Sequence, residues 1–143
     1  MKGQSSVEYS LVVGLALLLA SPFLVSAQSS IIQLEESTSY LQLDSSLEKL
    51  EQKSNKLSEK SFPARRTMRF DTPTGIDRIY NPQLGSAGSA VIFQISRAGR
   101  TNNRSFLVDY SIRIQNQSQI AEEGIHRISI KKLPNGINVS TIS

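Results

Sequence analysis

The residue types that most often carry catalysis are sparse in this chain of 143 residues. It has one histidine and no cysteine, which excludes a thiol nucleophile and a cysteine-ligated zinc. His126 is in phase with the isoleucines two and four residues further on, a spacing that predicts a strand residue with a satisfied ring. The carboxylates of Asp71 and Asp77, and those of Glu122 and Glu123, have no pocket signal or EF-hand spacing beside them. We therefore expect no enzyme, no cofactor and no metal site.

One carboxylate, that of Glu8, lies at a position where it needs a cationic or polar partner. Glu8 precedes an uncharged, mostly apolar run that extends to Ala27. A carboxylate carried into an apolar environment is costly unless it is paired, although a helix dipole favours negative charge in the first turn. Glu8 either pairs with a cationic group in an assembly or caps a transmembrane helix among lipid headgroups.

The residues around Glu8 form the pattern Lys2-Gly3-Gln4-Ser5-Ser6-Val7-Glu8-Tyr9. This pattern resembles the class III signal peptide of archaeal type IV pilins and archaellin-like proteins, in which a membrane peptidase cuts a short basic leader after glycine. The resemblance implies cleavage between Gly3 and Gln4, which makes Glu8 the fifth residue of the mature chain. It also implies that Glu8 meets the amino terminus of a neighbouring subunit. The resemblance is confined to this motif and the apolar run.

If the resemblance holds, the chain is a structural subunit of an extracellular type IV pilus-like filament used in adhesion or surface attachment. Residues 1–3 would be the leader, removed by a prepilin-type peptidase. The implied partners are further copies of the chain through the N-terminal helix, the pilus assembly machinery, and the cell membrane before assembly. No specific nucleic acid is expected, because no nucleic-acid-binding motif is present.

The run from Tyr9 to Ala27 is long enough to cross a bilayer once as a helix. Lys2 favours a cytoplasmic N-terminus, which would place the rest of the chain outside. Gly14 could allow close helix packing in a filament. Pro22 removes a backbone donor, so we expect a kink or local unwinding there.

A conventional signal peptide is the alternative. Val25-Ser26-Ala27 fits the small-residue rule for signal peptidase, with Pro22 shortly before it. Cleavage after Ala27 would discard the apolar run. The chain would then be a secreted binding module with a basic β-sandwich domain, and an uncleaved monomer would be a membrane-tethered one.

Residues 28–61 form the polar part of a predicted helix over residues 4–61. Its apolar positions recur at spacings of three and four, which is typical of a narrow coiled-coil seam packing on the globular domain or on a neighbouring helix. The seam consists of Tyr40, Leu43, Leu47, Leu50, Ser54 and Leu57. Phe62-Pro63 ends the helix, because proline disfavours helical geometry in the residue before it.

Residues 62–143 have the period-two pattern of β-strands. The strongest alternation extends from Phe106 to Ile114 and predicts one strand with a buried face. Further strands are predicted around Val91–Ile95, Ile128–Ile130, Thr67–Phe70, Ile76–Tyr80 and Ile137–Ile142, with turns at 72–75, 81–82, 99–103 and 134–136. We therefore predict an α+β protein, in which a long N-terminal helix, hydrophobic and then amphipathic, precedes a small antiparallel β-sandwich head.

The formal net charge of +4 is concentrated in the head. Most of the head's cations are arginines, including a group at Arg65, Arg66 and Arg69 and another at Arg97, Arg100 and Arg104. Such groups are usually solvated faces, but they could face acidic glycans, nucleic acid or the acidic stalk of a neighbouring subunit.

Three sequons mark glycosylation candidates in the head: Asn103, Asn116 and Asn138. Asn103 and Asn116 are predicted to lie in loops beside a strand, where a glycan could project. Asn138 is predicted to lie within a strand, which makes it the least suitable acceptor.

Overall fold

The structure is a computed structural model that describes residues 2–85, 88–97 and 99–142, with side chains described from Ser6 onward. Helix α1 comprises Lys2–Ser58. The chain divides into two compact units, of which one ends at Thr38 and the other begins at Ser39. The first unit is purely helical, whereas the second contains the last turns of α1 and the whole β-rich head.

Helix α1 differs from the prediction at Pro22 and at both ends, and it begins at Lys2 where the prediction placed its start at Gln4. The backbone is helical on both sides of Pro22, so the local unwinding predicted there is not observed. The helix ends at Ser58 and not at Ser61. The Lys132 ammonium donates a hydrogen bond to the Ser58 carbonyl at 2.7 Å, and a cation at a helix C-terminus complements both the free carbonyls and the helix dipole. This long-range contact satisfies one of the carbonyls left free at the end of the helix.

The described residues of the head form seven strands and one short helix. In chain order they are β1 (Arg65–Thr72), β2 (Ile76–Tyr80), β3 (Ser89–Arg97), β4 (Arg100–Val108), β5 (Ile112–Ile114), α2 (Gln117–Ala121), β6 (Gly124–Leu133) and β7 (Gly136–Thr141). One sheet has the order β1-β6-β7-β5 and the other the order β2-β3-β4. The predicted antiparallel arrangement is correct except for β5, which pairs parallel with β7. The sequence did not predict α2.

The two sheets share one hydrophobic core. The rings of Phe70 on β1 and Phe93 on β3 stack with centroids 5.6 Å apart, and both side chains are fully buried. The four-stranded sheet adds Met68, Ile128, Ile130, Ile137 and Val139 to the core, and the three-stranded sheet adds Ile79, Val91, Ile95, Phe106 and Val108. The protein is therefore an α+β fold, with a long N-terminal helix followed by a two-sheet β head, as predicted.

The last turns of α1 complete this core. Its four seam leucines are at most 6% exposed: Leu43, Leu47, Leu50 and Leu57. Tyr40 packs at the margin of the same core, and Ser54 is fully buried within the seam. Burying a leucine side chain contributes about 1.5–3 kcal/mol, so this face of the helix is an integral part of the head. Of the two partners considered for the seam, the structure shows the head.

The alternation from Phe106 to Ile114 belongs to two strands and not to the single strand predicted. β4 ends at Val108 in one sheet, and β5 begins at Ile112 in the other. Tyr110 between them still packs against the core, so inward and outward positions alternate without interruption. A strand that changes sheets at a corner keeps its period, and for that reason the sequence pattern does not reveal the corner.

The free edge of β5 is closed by polar side chains from the segment before β3 and from the first residue of β3. The Asn81 carbonyl oxygen accepts a hydrogen bond from the Ile114 amide at 3.2 Å. Gln83 donates to the Ile112 carbonyl at 2.8 Å, and the Ser89 hydroxyl accepts from the Ile112 amide at 3.1 Å. These bonds satisfy backbone groups that would otherwise be available to an additional strand.

Candidate functional site

The residues of the N-terminal motif lie on the helical first unit. The backbone of Gly3 and Gln4 is helical, and their side chains lie outside the described residues. The Glu8 side chain is exposed and makes no hydrogen bond or ion pair with any described residue. A Cβ placed at Gly14 would meet no atom within 4 Å, and Pro22 is likewise exposed. Packing within the described chain therefore does not account for the residue types at Glu8, Gly14 and Pro22.

The apolar side chains of the first unit are exposed to a degree unusual for a folded chain. Those from Val7 to Leu34 range from 39% exposed at Val13 to 77% at Phe23. By length and composition α1 could cross a membrane, and its most apolar window has no buried residue. A signal sequence would meet the same criterion. Large exposed apolar surfaces are typical of segments that contact a membrane or another protein.

The two parts of α1 thus differ in how their apolar residues are used. The seam from Leu43 to Leu57 is buried in the core of the second unit, while the described residues of the first unit are all helical. The first unit consists of helix alone, which leaves its apolar side chains to be covered by something else.

The side chains considered for acid–base chemistry do not form a site. The His126 ring is half-buried on β6, and its Nε2 lies 2.7 Å from the Glu122 carbonyl oxygen, as expected for a satisfied strand residue. Within the described residues, no cluster of three or more His, Asp or Glu side chains could hold a metal ion. Asp71 belongs to β1 and Asp77 to β2, so the two carboxylates lie on different sheets.

The surroundings of Tyr110 clearly displace the pKa of its hydroxyl. Burial against the core raises the pKa of its hydroxyl well above the usual 10. The nearby Ser54 hydroxyl lowers this pKa in part, and the carboxylates of Asp109 and Glu51 raise it further. The hydroxyl donates to the Asn55 side-chain oxygen at 2.8 Å. This bond joins α1 to the corner between β4 and β5, which is a structural role.

The three sequons occupy different environments. Asn103 lies within β4 opposite Gln94, not in the predicted loop, because β4 begins at Arg100; its side chain is nevertheless exposed. Asn116 is outside the strands, with a left-handed φ of 55°, and its amide nitrogen donates to Thr141 Oγ1 at 3.0 Å.

Asn138 has the environment least suited to a glycan. It lies within β7 as predicted and is half-buried. Its amide nitrogen donates to Gln115 Oε1 at 3.2 Å, and its side-chain oxygen is buried without a partner among the described residues. A glycan on this nitrogen would have to displace the Gln115 contact.

The structure separates the two arginine groups. Arg104 forms a 3.2 Å ion pair with Asp44 and covers the Tyr40 ring, while Arg97 Nε donates to the Thr74 carbonyl at 3.0 Å. The second group therefore consists mainly of structural contacts. Arg65 and Arg69 instead project from the outer face of β1.

Three further cations join Arg65 and Arg69 on the outer face of that sheet: Arg113, Arg127 and Lys131. The sequence analysis did not connect them, because they come from β5 and β6 and meet β1 only through the sheet. The available signal was the position of Arg113 between two buried isoleucines, and of Arg127 and Lys131 each next to one, which places all three on the outward side of their strands.

Comparison with family models, with curated proteins and with solved structures finds no significant match to this chain. The functional argument therefore depends on its residues and geometry.

Proposed function

We propose that this chain is a structural subunit of an extracellular type IV pilus-like filament, used in adhesion or surface attachment. One observation carries the proposal: the apolar side chains from Val7 to Leu34 are exposed on a purely helical unit, while the seam from Leu43 to Leu57 is buried in the head. Such a helix suits lipid before assembly and the helices of other copies afterwards. The motif from Lys2 to Glu8 supplies the means of release from a leader.

Cleavage after Gly3 gives Glu8 a partner. It creates an ammonium at Gln4, and a buried carboxylate is tolerated when paired with a cation. Within a helix bundle, close packing at Gly14 adds dispersion contacts that lipid does not provide. Assembly in this proposal depends on a specific charge pair and on close helix packing, because moving apolar side chains from lipid to protein contributes little by itself.

A monomeric binding module is the second candidate, whether tethered by one helix or secreted after cleavage at Ala27. The compact second unit begins at Ser39, so loss of residues 1–27 would leave every seam residue in place. The unpaired cations on the outer face of the head also favour a binding role.

The experiment that separates the candidates is N-terminal sequencing and intact mass of the protein recovered from the cell surface, combined with electron microscopy of the same fraction. A start at Gln4 in filaments supports the pilin-like role. A start at Gln28 in soluble protein overturns it, because the assembly helix would be gone.

A further inference from the structure

The outer face of the four-stranded sheet carries five cations, here named the basic face, and one carboxylate among its described strands, Asp71 near the end of β1. Side chains alternate along a strand, so the residues between the buried positions of β1, β5 and β6 point away from the core. The basic face consists of Arg65, Arg69, Arg113, Arg127 and Lys131, all of them exposed. None of the five forms an ion pair with a described carboxylate.

The strand register places four of these cations in two opposed pairs. Arg65 lies opposite Lys131, and Arg69 lies opposite Arg127. Like charges directly opposite each other destabilise an antiparallel strand pair. The two pairs are separated by four residues along β1, about 13 Å. Two destabilising like-charge pairs on one surface are explained if an anionic ligand neutralises their charge.

A row of hydroxyl-bearing residues lies between the two pairs. Thr67, Ser129 and Ser140 are neighbours across β1, β6 and β7. The Ser129 hydroxyl is buried and accepts a hydrogen bond from Arg65 Nε at 2.8 Å. Thr67 is exposed and Ser140 is half-exposed, so both can bond to a ligand.

The composition of the basic face distinguishes between kinds of anionic ligand. No aromatic side chain occupies an outward position on the described strands of this sheet, so the stacking platforms typical of single-stranded nucleic acid binding are absent there. Apolar residues at outward positions are confined to the ends of β6, at Ile125 and Leu133, which leaves the centre of the face unsuited to lipid. Cations beside hydroxyl groups match a polymer that carries both acidic groups and hydroxyls.

We propose that the basic face binds an acidic polysaccharide. The pairs Arg65–Lys131 and Arg69–Arg127 engage carboxylate or sulfate groups along one polymer chain, and Thr67 and Ser140 bond to its hydroxyls. Arginine suits this role because its planar fork matches such anions in two hydrogen bonds. The site lies within the head, so it does not depend on whether the chain forms filaments.

The spacing of the two pairs determines how the binding should behave. A single small anion cannot reach both pairs across about 13 Å, whereas a polymer can, and the second contact then benefits from a high effective concentration. Affinity should therefore rise steeply with oligosaccharide length until both pairs are occupied. Because the site is exposed, salt should weaken the binding.

The test uses the full chain in non-ionic detergent and heparin-derived oligosaccharides of increasing, defined length. We expect Arg69→Gln with Arg127→Gln to raise the dissociation constant about tenfold. The control, Arg78→Gln with Arg100→Gln, removes the same charge from exposed positions on the other sheet and should change it less than about twofold. Thermal unfolding of each variant checks the fold, and the single Arg69→Gln variant is measured if the double variant does not fold.

Three outcomes would overturn the proposal. Equal losses in the two double variants would mean that overall charge alone attracts the oligosaccharide. Binding of a duplex DNA of equal charge as tightly as heparin, with the same loss in the Arg69 and Arg127 variant, would assign the face to nucleic acid. If the Arg69 and Arg127 variant binds heparin as the wild type does but gives a reduced filament yield, the basic face would be a contact between copies of this chain.

Discussion

The Ser46 hydroxyl accepts a hydrogen bond from the Asp71 backbone amide at 3.2 Å, which joins α1 to the free edge of β1. Lys53 supports the same edge by donating to the Thr67 carbonyl at 3.3 Å. Ser54 lies about two turns beyond Ser46 on the same helix. It is fully buried, and its hydroxyl makes no hydrogen bond of normal geometry among the described residues, although it lies near enough to the Tyr110 hydroxyl to offset part of the rise in pKa that burial causes there. The buried side of α1 thus contains Ser46, which accepts a hydrogen bond, and Ser54, which has none of normal geometry.

Replacing these two serines with alanine should have opposite effects on stability. Ser54→Ala removes a buried hydroxyl without a hydrogen bond and should raise the free energy of unfolding by about 1 kcal/mol. Ser46→Ala leaves the Asp71 amide unsatisfied and should lower it by about 1 kcal/mol. Urea unfolding followed by circular dichroism measures both changes. An unchanged dependence of the free energy of unfolding on urea concentration would show that each variant undergoes the same transition. Changes of the same sign in the two variants would contradict this account.

The sequence predicted the elements whose signals are local. The seam from Leu43 to Leu57 has the helical spacing, and the structure buries every leucine in it. The break between β4 and β5 was missed because the alternation continues through Tyr110. The parallel pairing of β5 with β7 was missed for a related reason: no local pattern specifies which strand becomes the neighbour of a short one.

The cations of the basic face show the same difference between local and long-range signals. Arg65 and Arg69 are neighbours in sequence and were recognised as a group. Their partners Arg127 and Lys131 are about sixty residues away and are brought opposite them only by the β1–β6 register. The register is set by packing of inward residues from both strands, which a single sequence does not reveal.

Ionisation of Tyr110 should make stability fall at high pH. Burial raises its pKa in the folded chain, while the unfolded chain ionises near the ordinary value of 10. The stabilisation associated with the neutral Tyr110 hydroxyl is therefore fully present below pH 10 and is lost as the pH rises towards the folded-state pKa. The free energy of unfolding then falls with a limiting slope of about 1.4 kcal/mol per pH unit.

Tyr110→Phe should remove this slope, whereas Tyr80→Phe, at an exposed position, should retain it. Thermal unfolding between pH 8 and pH 11 measures the difference. The same steep fall in the Tyr110→Phe variant would show that another group is responsible.

The sequons should differ in their use as glycan acceptors. Asn103 is exposed on β4, and its amide makes no hydrogen bond within the described chain. The amides of Asn116 and Asn138 are both engaged. We expect Asn103→Gln to reduce the intact mass of the protein purified from its natural host by one glycan, and Asn138→Gln to leave the mass unchanged apart from the substitution. Loss of a glycan with Asn138→Gln alone would mean that modification precedes folding of β7.

The role of Glu8 in assembly can be measured separately from export. Glu8→Ala removes the carboxylate that we propose to pair with the Gln4 ammonium, and the unpaired ammonium would then remain in an apolar environment. We expect membrane insertion and cleavage after Gly3 to be unchanged, and filament yield to fall by about tenfold or more. Glu59→Ala, at an exposed position beyond the end of α1, is the matched control and should leave the yield unchanged. Immunoblots of sheared filaments and of membranes give the two quantities from the same cells. Filaments at wild-type levels in the Glu8→Ala strain would leave only the headgroup-capping role for this carboxylate.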